Sequence, residues 1–520
     1  MTEKEKVILP GAPFGRGARE NSGEWHPLID WFDVYAGNRW KDRHGQFGLF
    51  DSPAGIRLQV EEAKVSPVLF AETSDRQGGL LPLYAWKEDG LYRILYRDTG
   101  GTAYAQSEDG YDWTLPEIGR IEFGGSTRNN LICDQCVGPV MKDPHAPPRE
   151  RFKGMVEVAG MFDPDTGEEL EGEEGLKRMG EMQFGGSDYK GPRMVMRAFV
   201  RGYTSPDAMH WTPIERPVAN MPSDGTGGNP TFEPETSTYF TYVRVHGLEQ
   251  GEFQTLAHST PERDSARRCI GFTRTRDFCD WPPPKLVLHP DAHDGPQVSF
   301  YGGFYFPFPG SMGIHCMLVH VFDQISGHVD NQIAFSRDGL IWDRPERRAA
   351  VPVGAAGSGC EGAVYAQGGI VELPDGFWAV PFVGGTSLHN GFHPGMPMDR
   401  EPLQMRWARW EPLRFCGIAA ATEGRFTVPT LRRTRSELRL NYRCENGGWI
   451  KVEVLNSVPS RKYPDAEGRP GLTFAECDWI LGDESEKVVT WNGRSDISSV
   501  GDTICMRIRM FRAKVFAYQV

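Results

Sequence analysis

Ser336-Arg-Asp-Gly-Leu-Ile-Trp342 is one of four related stretches, and its recurrence decides the fold. The others are Ser107-Glu-Asp-Gly-Tyr-Asp-Trp113, Ser205-Pro-Asp-Ala-Met-His-Trp211 and Arg276-Asp-Phe-Cys-Asp-Trp281. Each follows a β-rich run, such as Gln332-Ile-Ala-Phe335, and is followed by a proline-containing segment. Asp and Gly suit a hairpin turn, and the Trp that opens the next strand gives a large apolar body to pack between neighbouring sheets. A unit repeated at this spacing buries its faces against its own copies.

Outward from the turns lie short strand-like runs: Leu91-Tyr-Arg-Ile-Leu-Tyr96, Arg193-Met-Val-Met-Arg-Ala-Phe-Val200, Tyr239-Phe-Thr-Tyr-Val-Arg-Val245, Cys316-Met-Leu-Val-His-Val-Phe322 and Phe377-Trp-Ala-Val-Pro-Phe-Val383. Few segments carry a helical period. A fifth block, from Gly362 to Phe415, has the strands without the Asp-Gly turn. The pattern predicts an all-β chain in which residues 55–420 form a five-bladed β-propeller. A closed ring pairs its first and last strands, and Gly55-Ile-Arg-Leu-Gln-Val60 is the strand expected to complete the last blade. Residues 1–54, with Trp25, Trp31 and Trp40, read as a segment wrapping across the propeller. Over 421–520 the strands alternate apolar and polar residues, which predicts a β-sandwich.

A chain of 520 residues exceeds one ordinary core, in keeping with this division. The net charge of -13 argues against nucleic acid, because phosphate binding needs a basic face. It also disfavours an acidic polymer as substrate, unless a local basic pocket overrides the global sign. No apolar run approaches the roughly 20 residues of a membrane helix, and no export signal is readable, so a cytoplasmic location is expected. The ten cysteines lack disulfide-framework or zinc spacing, and Cys133-Asp-Gln-Cys136 reads as two ordinary thiols.

In a propeller the loops leading into the innermost strands converge at one mouth, so site residues are expected just before those strands. That rule selects Glu72 and Asp75 before Leu80, Asn129 and Asn130 before Leu131, Asp224 and Asn229 before Thr231, Asp294 before Val298, and Glu361 before Ala363. Cleavage of a glycosidic bond needs one protonated and one ionised carboxyl group, and neighbouring acids in a cleft push their pKa values apart. Glu361, after the flexible Gly354-Ala-Ala-Gly-Ser-Gly359, is the expected general acid, with Asp224 or Asp75 as base or nucleophile. His389 and Asn390 are expected to donate to sugar hydroxyls. His315 and His320, an odd number apart on a strand, point to opposite faces and so do not form a joint metal site with His328, Asp323 and Asp330. No cofactor is expected beyond a possible structural Ca²⁺ in the channel.

With these turns in hand, the chain resembles the invertase and arabinanase superfamily of five-bladed propeller glycosidases over Gly55 to Phe415. Its C-terminal region resembles the trailing sandwich of the fructan-cleaving members. Lys142-Asp-Pro144 is similar to their Arg-Asp-Pro motif, which implies transition-state stabilisation by Asp143. Lys142 to Phe152, Gln332 to Gly339, and Tyr365-Ala366 with Gly368-Gly-Ile-Val371 are similar to uncharacterised bacterial members of that superfamily, described only as glycosidase-like. The resemblance implies a glycoside hydrolase acting on a small oligosaccharide or glycoside. Two rivals are a propeller-fold lyase of uronate-containing glycans, using His389 or His293 with Tyr301, and a non-catalytic sugar-binding propeller.

Overall fold

In the Ser336–Trp342 turn the Asp338 carboxylate accepts from Leu340 N (2.8 Å) and Ile341 N (2.7 Å), Ser336 Oγ accepts from Gly339 N (2.9 Å), and the Trp342 indole donates to Gly339 O (3.1 Å). The indole-to-carbonyl bond recurs from Trp113 to Gly110, Trp211 to Ala208 and Trp281 to Phe278. Short-range chemistry therefore builds each turn. Gly110 and Gly339 hold left-handed backbone at φ +79° and +72°, and Ala208 occupies the equivalent place at φ +64°, where a non-glycine residue costs about 1–2 kcal/mol.

The chain is all-β. The computed structural model describes residues 25–41, 44–73, 76, 79–162, 169–170, 195–219, 228–247, 267–311, 313–389, 401–457 and 466–520. Each signature turn follows the third strand of an antiparallel unit. The first sheet runs Leu81–Glu88, Leu91–Asp98, Gly101–Ser107, Leu131–Cys133. The second contains Val140–Lys142, Phe152–Phe162, Val195–Ser205 and Thr212–Pro213, with Glu169–Leu170 beside its second strand. The third holds Thr231–Glu233, Thr238–Gly247, Arg267–Thr275 and Lys285–Leu288. The fourth unit, Val298–Pro307, His315–Asp323 and Val329–Ser336, joins the fifth, Ala363–Ala366, Trp378–Gly385 and Gln404–Trp410, through one parallel pairing of Val329 with Ala363. Buried apolar clusters lie between successive sheets, as where Phe240, Tyr242 and Ile270 of the third meet Tyr305, Met317 and Val319 of the fourth.

Two expected strand placements change. Leu131–Cys133 is the far strand of the first sheet, pairing with Gly101–Ser107, so it does not open the second unit; Val140–Lys142 does. Arg57–Val60 does not complete the fifth sheet but pairs with Cys416–Ala419 in the terminal sheet. Lys64–Val65 and Phe70–Ala71 pair with Gln404–Trp410 instead. An alternating strand fits either edge equally well, and main-chain geometry a few residues downstream decides between them. The terminal strands form one continuous sheet, ordered Asp483–Val488, Arg439–Val454, Thr503–Gln519, Cys416–Arg432, Arg57–Val60. Bulges at Ala420/Glu423, Val428/Leu431 and Cys444/Trp449 bend its long strands around a core that includes Trp491, Tyr442 and Tyr518. All ten cysteines are free.

Beyond the single Val329–Ala363 pair, a side chain takes over the junction of the fourth and fifth units. Asn331 is fully buried; its amide donates to Val364 O (2.9 Å) and accepts from Ala366 N (3.0 Å), standing in for a strand. Removing it orphans a buried carbonyl and a buried amide. Asn331→Ala is expected to lower unfolding free energy by about 2–4 kcal/mol, read as a shift of the urea midpoint at unchanged slope.

Candidate active site in the inter-sheet cavity

The opening strands of the first, fourth and fifth units, and the residues just ahead of those of the second and third, line one cavity of about 450 Å³. Leu81 and Leu83 contribute from the first, Pro139 stands just ahead of Val140 in the second, and Gly228 with Asn229 lead into Thr231 of the third. Tyr301 belongs to the opening strand of the fourth, and Ala363 with Tyr365 to that of the fifth. Gly228 fits because it has no side chain: a Cβ there would collide with the carbonyl oxygens of Tyr242 and Gly303.

The polar wall is built from the strands themselves. Tyr365 Oη lies 2.6 Å from His389 Nδ1, and the His389 ring packs edge-on against Tyr301, centroids 4.0 Å apart. The backbone of His389 is pinned by its N–H to Gly327 O (2.7 Å). Arg244, only 3% exposed, donates from Nη1 to Tyr301 O (2.7 Å) and lies with its guanidinium carbon 4.1 Å from the centre of the Tyr301 ring. Arg97 enters from the second strand of the first sheet, its Nε bonded to Gly79 O (3.0 Å). Glu157 is the carboxylate that lines the cavity among the described residues. It comes from the second strand of the second unit, where the three-residue Val140–Lys142 covers Phe152–Gly154 and leaves the continuation open. Asn229 Oδ1 is buried there without a hydrogen-bond partner among the described residues.

Of the expected site residues, Asn229 and His389 line this cavity. Asp75, Asp224 and Asn390 lie outside the described residues. Glu361 does not line the wall; it accepts from Gly357 N (3.1 Å), and the amides of its own loop, its own N–H foremost, hold its carboxyl below the ordinary range. A general acid needs the opposite shift, so Glu361 acts here as a loop clasp. Asp143 follows Val140–Lys142, at the end away from Pro139, and is 1% exposed. Burial would raise its pKa, but bonds from Tyr239 Oη (2.7 Å), His145 N (3.0 Å) and the Lys153 ammonium (3.1 Å) outweigh burial and keep it ionised and enclosed. Asp294 is likewise held low against its burial by the buried Arg344.

Glu72 serves the backbone: one oxygen accepts from Gly79 N (2.9 Å) and Leu80 N (3.1 Å), the other from Leu403 N (3.0 Å). Asn129 folds its own loop, donating to Ile121 O (2.8 Å) and accepting from Leu131 N (3.0 Å). The histidines of the discounted metal cluster do face opposite ways: His315 meets Tyr305 Oη (3.0 Å), and His320 donates to Ala366 O (3.0 Å) beside the cavity. Asp330, pushed up to about 7 first by burial and then by Asp323, is the right kind of carboxyl for proton donation but is not part of the cavity wall. Sequence reasoning missed Arg97, Glu157 and Arg244 as site residues because it examined only the loops before strands. A lone charge inside an apolar run, as in Met155-Val-Glu-Val158 or Tyr242-Val-Arg-Val245, was the available signal.

No protein-family model and no curated protein matches the chain. Among solved structures it is similar to an exo-inulinase from Aspergillus awamori, with 10% identity over 87% of this chain and 98% of that one and a TM-score of 0.37. A thermostable family-43 glycoside hydrolase gives 12%, 66%, 92% and 0.38 for the same quantities. An N-acetylgalactosamine deacetylase from F. plautii, in complex with blood group B trisaccharide, gives 12%, 74%, 95% and 0.38. At these values the chemistry of this chain has to come from its own cavity.

Burial pushes the His320 imidazole down to about 4, with the Ala366 carbonyl working the other way. The folded state thus resists a proton that the unfolded chain takes up near pH 6.5. Its contribution is present above that pH and is lost as pH falls toward 4, by about 3 kcal/mol in all. His320→Gln is expected to shrink the drop in unfolding free energy between pH 7 and pH 4.5, measured by urea denaturation at both.

Proposed function

We propose that this chain is a glycoside hydrolase cleaving a small oligosaccharide or glycoside, and that its five strand units are the blades of a β-propeller around the cavity. The observation that carries this reading is the convergence itself: residues as far apart in sequence as Leu81, Asn229 and His389 line one polar, aromatic cavity of about 450 Å³. That volume and the mixture of Tyr rings with hydrogen-bonding groups suit a sugar of one or two rings. The change of sheet at Cys416 supports a boundary close to the expected residue 420.

Glu157 supplies one carboxylate of the hydrolytic pair. Asp224, four positions before the cavity-lining Gly228, is the partner we assign, with Asp75 the alternative. Glu361 is replaced in this role because its carboxyl is committed to its loop.

A second reading, elimination from a sugar acid, is favoured by the 2.6 Å Tyr365–His389 contact, which suits proton abstraction next to a carboxylate held by arginine. A screen of aryl-glycosides and oligosaccharides separates the two. Under hydrolysis, Glu157→Gln and Asp224→Asn each lower kcat/KM by about 10²–10⁴-fold, and the products are saturated sugars. Under elimination, Tyr365→Phe abolishes turnover, Glu157→Gln does not, and the product absorbs in the ultraviolet. Turnover unchanged in all three variants would remove both assignments, and no turnover by the unmodified chain would leave a sugar-binding protein.

A further inference from the structure

We propose that the cavity selects sugars that carry an anionic group, with Arg97 as the anchor and Arg244 as a second cation on the wall. The proposal rests on the carbohydrate reading above and adds the class of substrate.

Several of the chain's arginines are neutralised by a carboxylate. Arg76 meets Asp98 (3.2 Å), Arg337 meets Asp30 (2.7 Å), and Arg344 is paired with Asp294. Arg97 differs. Its Nε is fixed on Gly79 O, so the head of the side chain is positioned, and among the described residues no carboxylate pairs with it although it lines the cavity. An oriented guanidinium presents its terminal N–H groups as a fork, the geometry that recognises a carboxylate or phosphate.

The surroundings reinforce the preference. Arg244, nearly wholly buried and stacked on Tyr301, places a second permanent charge at the wall. Charges in a partly dehydrated cavity act over short distances with little screening, so an anion bound there interacts with both arginines. The chain as a whole is acidic at -13, whereas the described cavity wall sets two arginines against the single carboxylate of Glu157. Asn229 Oδ1, buried in the same cavity without a partner among the described residues, is an acceptor for a sugar hydroxyl. A cationic anchor plus an unmet acceptor describes an acid sugar better than a neutral one.

Uronates and sugar phosphates share this chemistry, and calorimetric titration with galacturonate, galactose 6-phosphate and galactose distinguishes them. The expected result is at least about tenfold tighter binding of one or both anions than of galactose, weakened by added salt. Arg97→Gln should remove that tenfold preference while leaving galactose binding in place. Arg97→Lys, which keeps the charge and loses the fork, should restore part of it; circular dichroism checks that both variants fold. Equal affinities for all three sugars, no measurable binding of any, or a preference that survives Arg97→Gln would each overturn the proposal. Binding is read without turnover, so a chain that prefers anions but hydrolyses nothing keeps this inference and loses the hydrolase.

Discussion

Three main-chain hydrogen bonds tie the early chain to the fifth unit. Ser66 N donates to Trp407 O (3.0 Å), Leu69 N to Met405 O (2.9 Å) and Glu72 N to Leu403 O (3.0 Å), joining segments more than three hundred residues apart. Trp407, fully buried, also donates its indole to Gly110 O (2.7 Å), so the third strand of the fifth unit is pinned to the first signature turn. Glu72 then carries its carboxylate across the same junction to Gly79, Leu80 and Leu403. Closing so long a loop costs entropy that grows only slowly with length, and a few well-buried bonds plus the packing of Trp407 offset it. Without this junction the Gln404–Trp410 edge of the fifth unit would be left unpaired.

The cavity depends on that junction and on the Asn331 bridge at the other side of the fifth unit. Leu80, Leu81 and Leu403 line one part of the wall and are positioned by Glu72; Tyr365, between the Val364 carbonyl and Ala366 amide that Asn331 holds, lines another. A Tyr–His–Tyr–Arg set packed through rings and short hydrogen bonds has little freedom to relax, which suits a site whose groups must be oriented before the ligand arrives. The residues that fix it are backbone-directed amides and carboxylates, so the support is specific without being charged at the wall.

The repeats were legible because each is written in local chemistry: an Asp that accepts two amides within three residues and a Trp that bonds a carbonyl three back need nothing distant. The all-β character and the turn positions therefore follow from sequence. Pairing partners do not, since Arg57–Val60 and Lys64–Val65 carry similar patterns, and only the geometry of the whole decides which joins the fifth unit. Of the residues expected at the site, Asn229 and His389 line the cavity, their backbones leading into or leaving a wall strand. The loop rule failed with Glu72, Asn129, Asp294 and Glu361, because a carboxylate or amide in a turn is as well suited to holding backbone N–H groups as to touching a ligand, and here it does the former. Glu157 and Arg244 went unnoticed because alternation says which face a residue takes, not whether that face looks onto a neighbouring sheet or onto open space.

The placement of the early strands has a consequence for synthesis on the ribosome. His26–Pro27 and Arg57–Val60 find their partners in Thr503–Gln519 and Cys416–Ala419, while Lys64–Val65 waits for Ala408 and Arg409. At translation speeds of about 5–20 residues per second, those edges stay unpaired for roughly 20–100 s after they emerge. The early segment is thus a stretch of nascent chain that depends on shielding, by chaperone or by its own polar residues, until the last part of the polypeptide arrives.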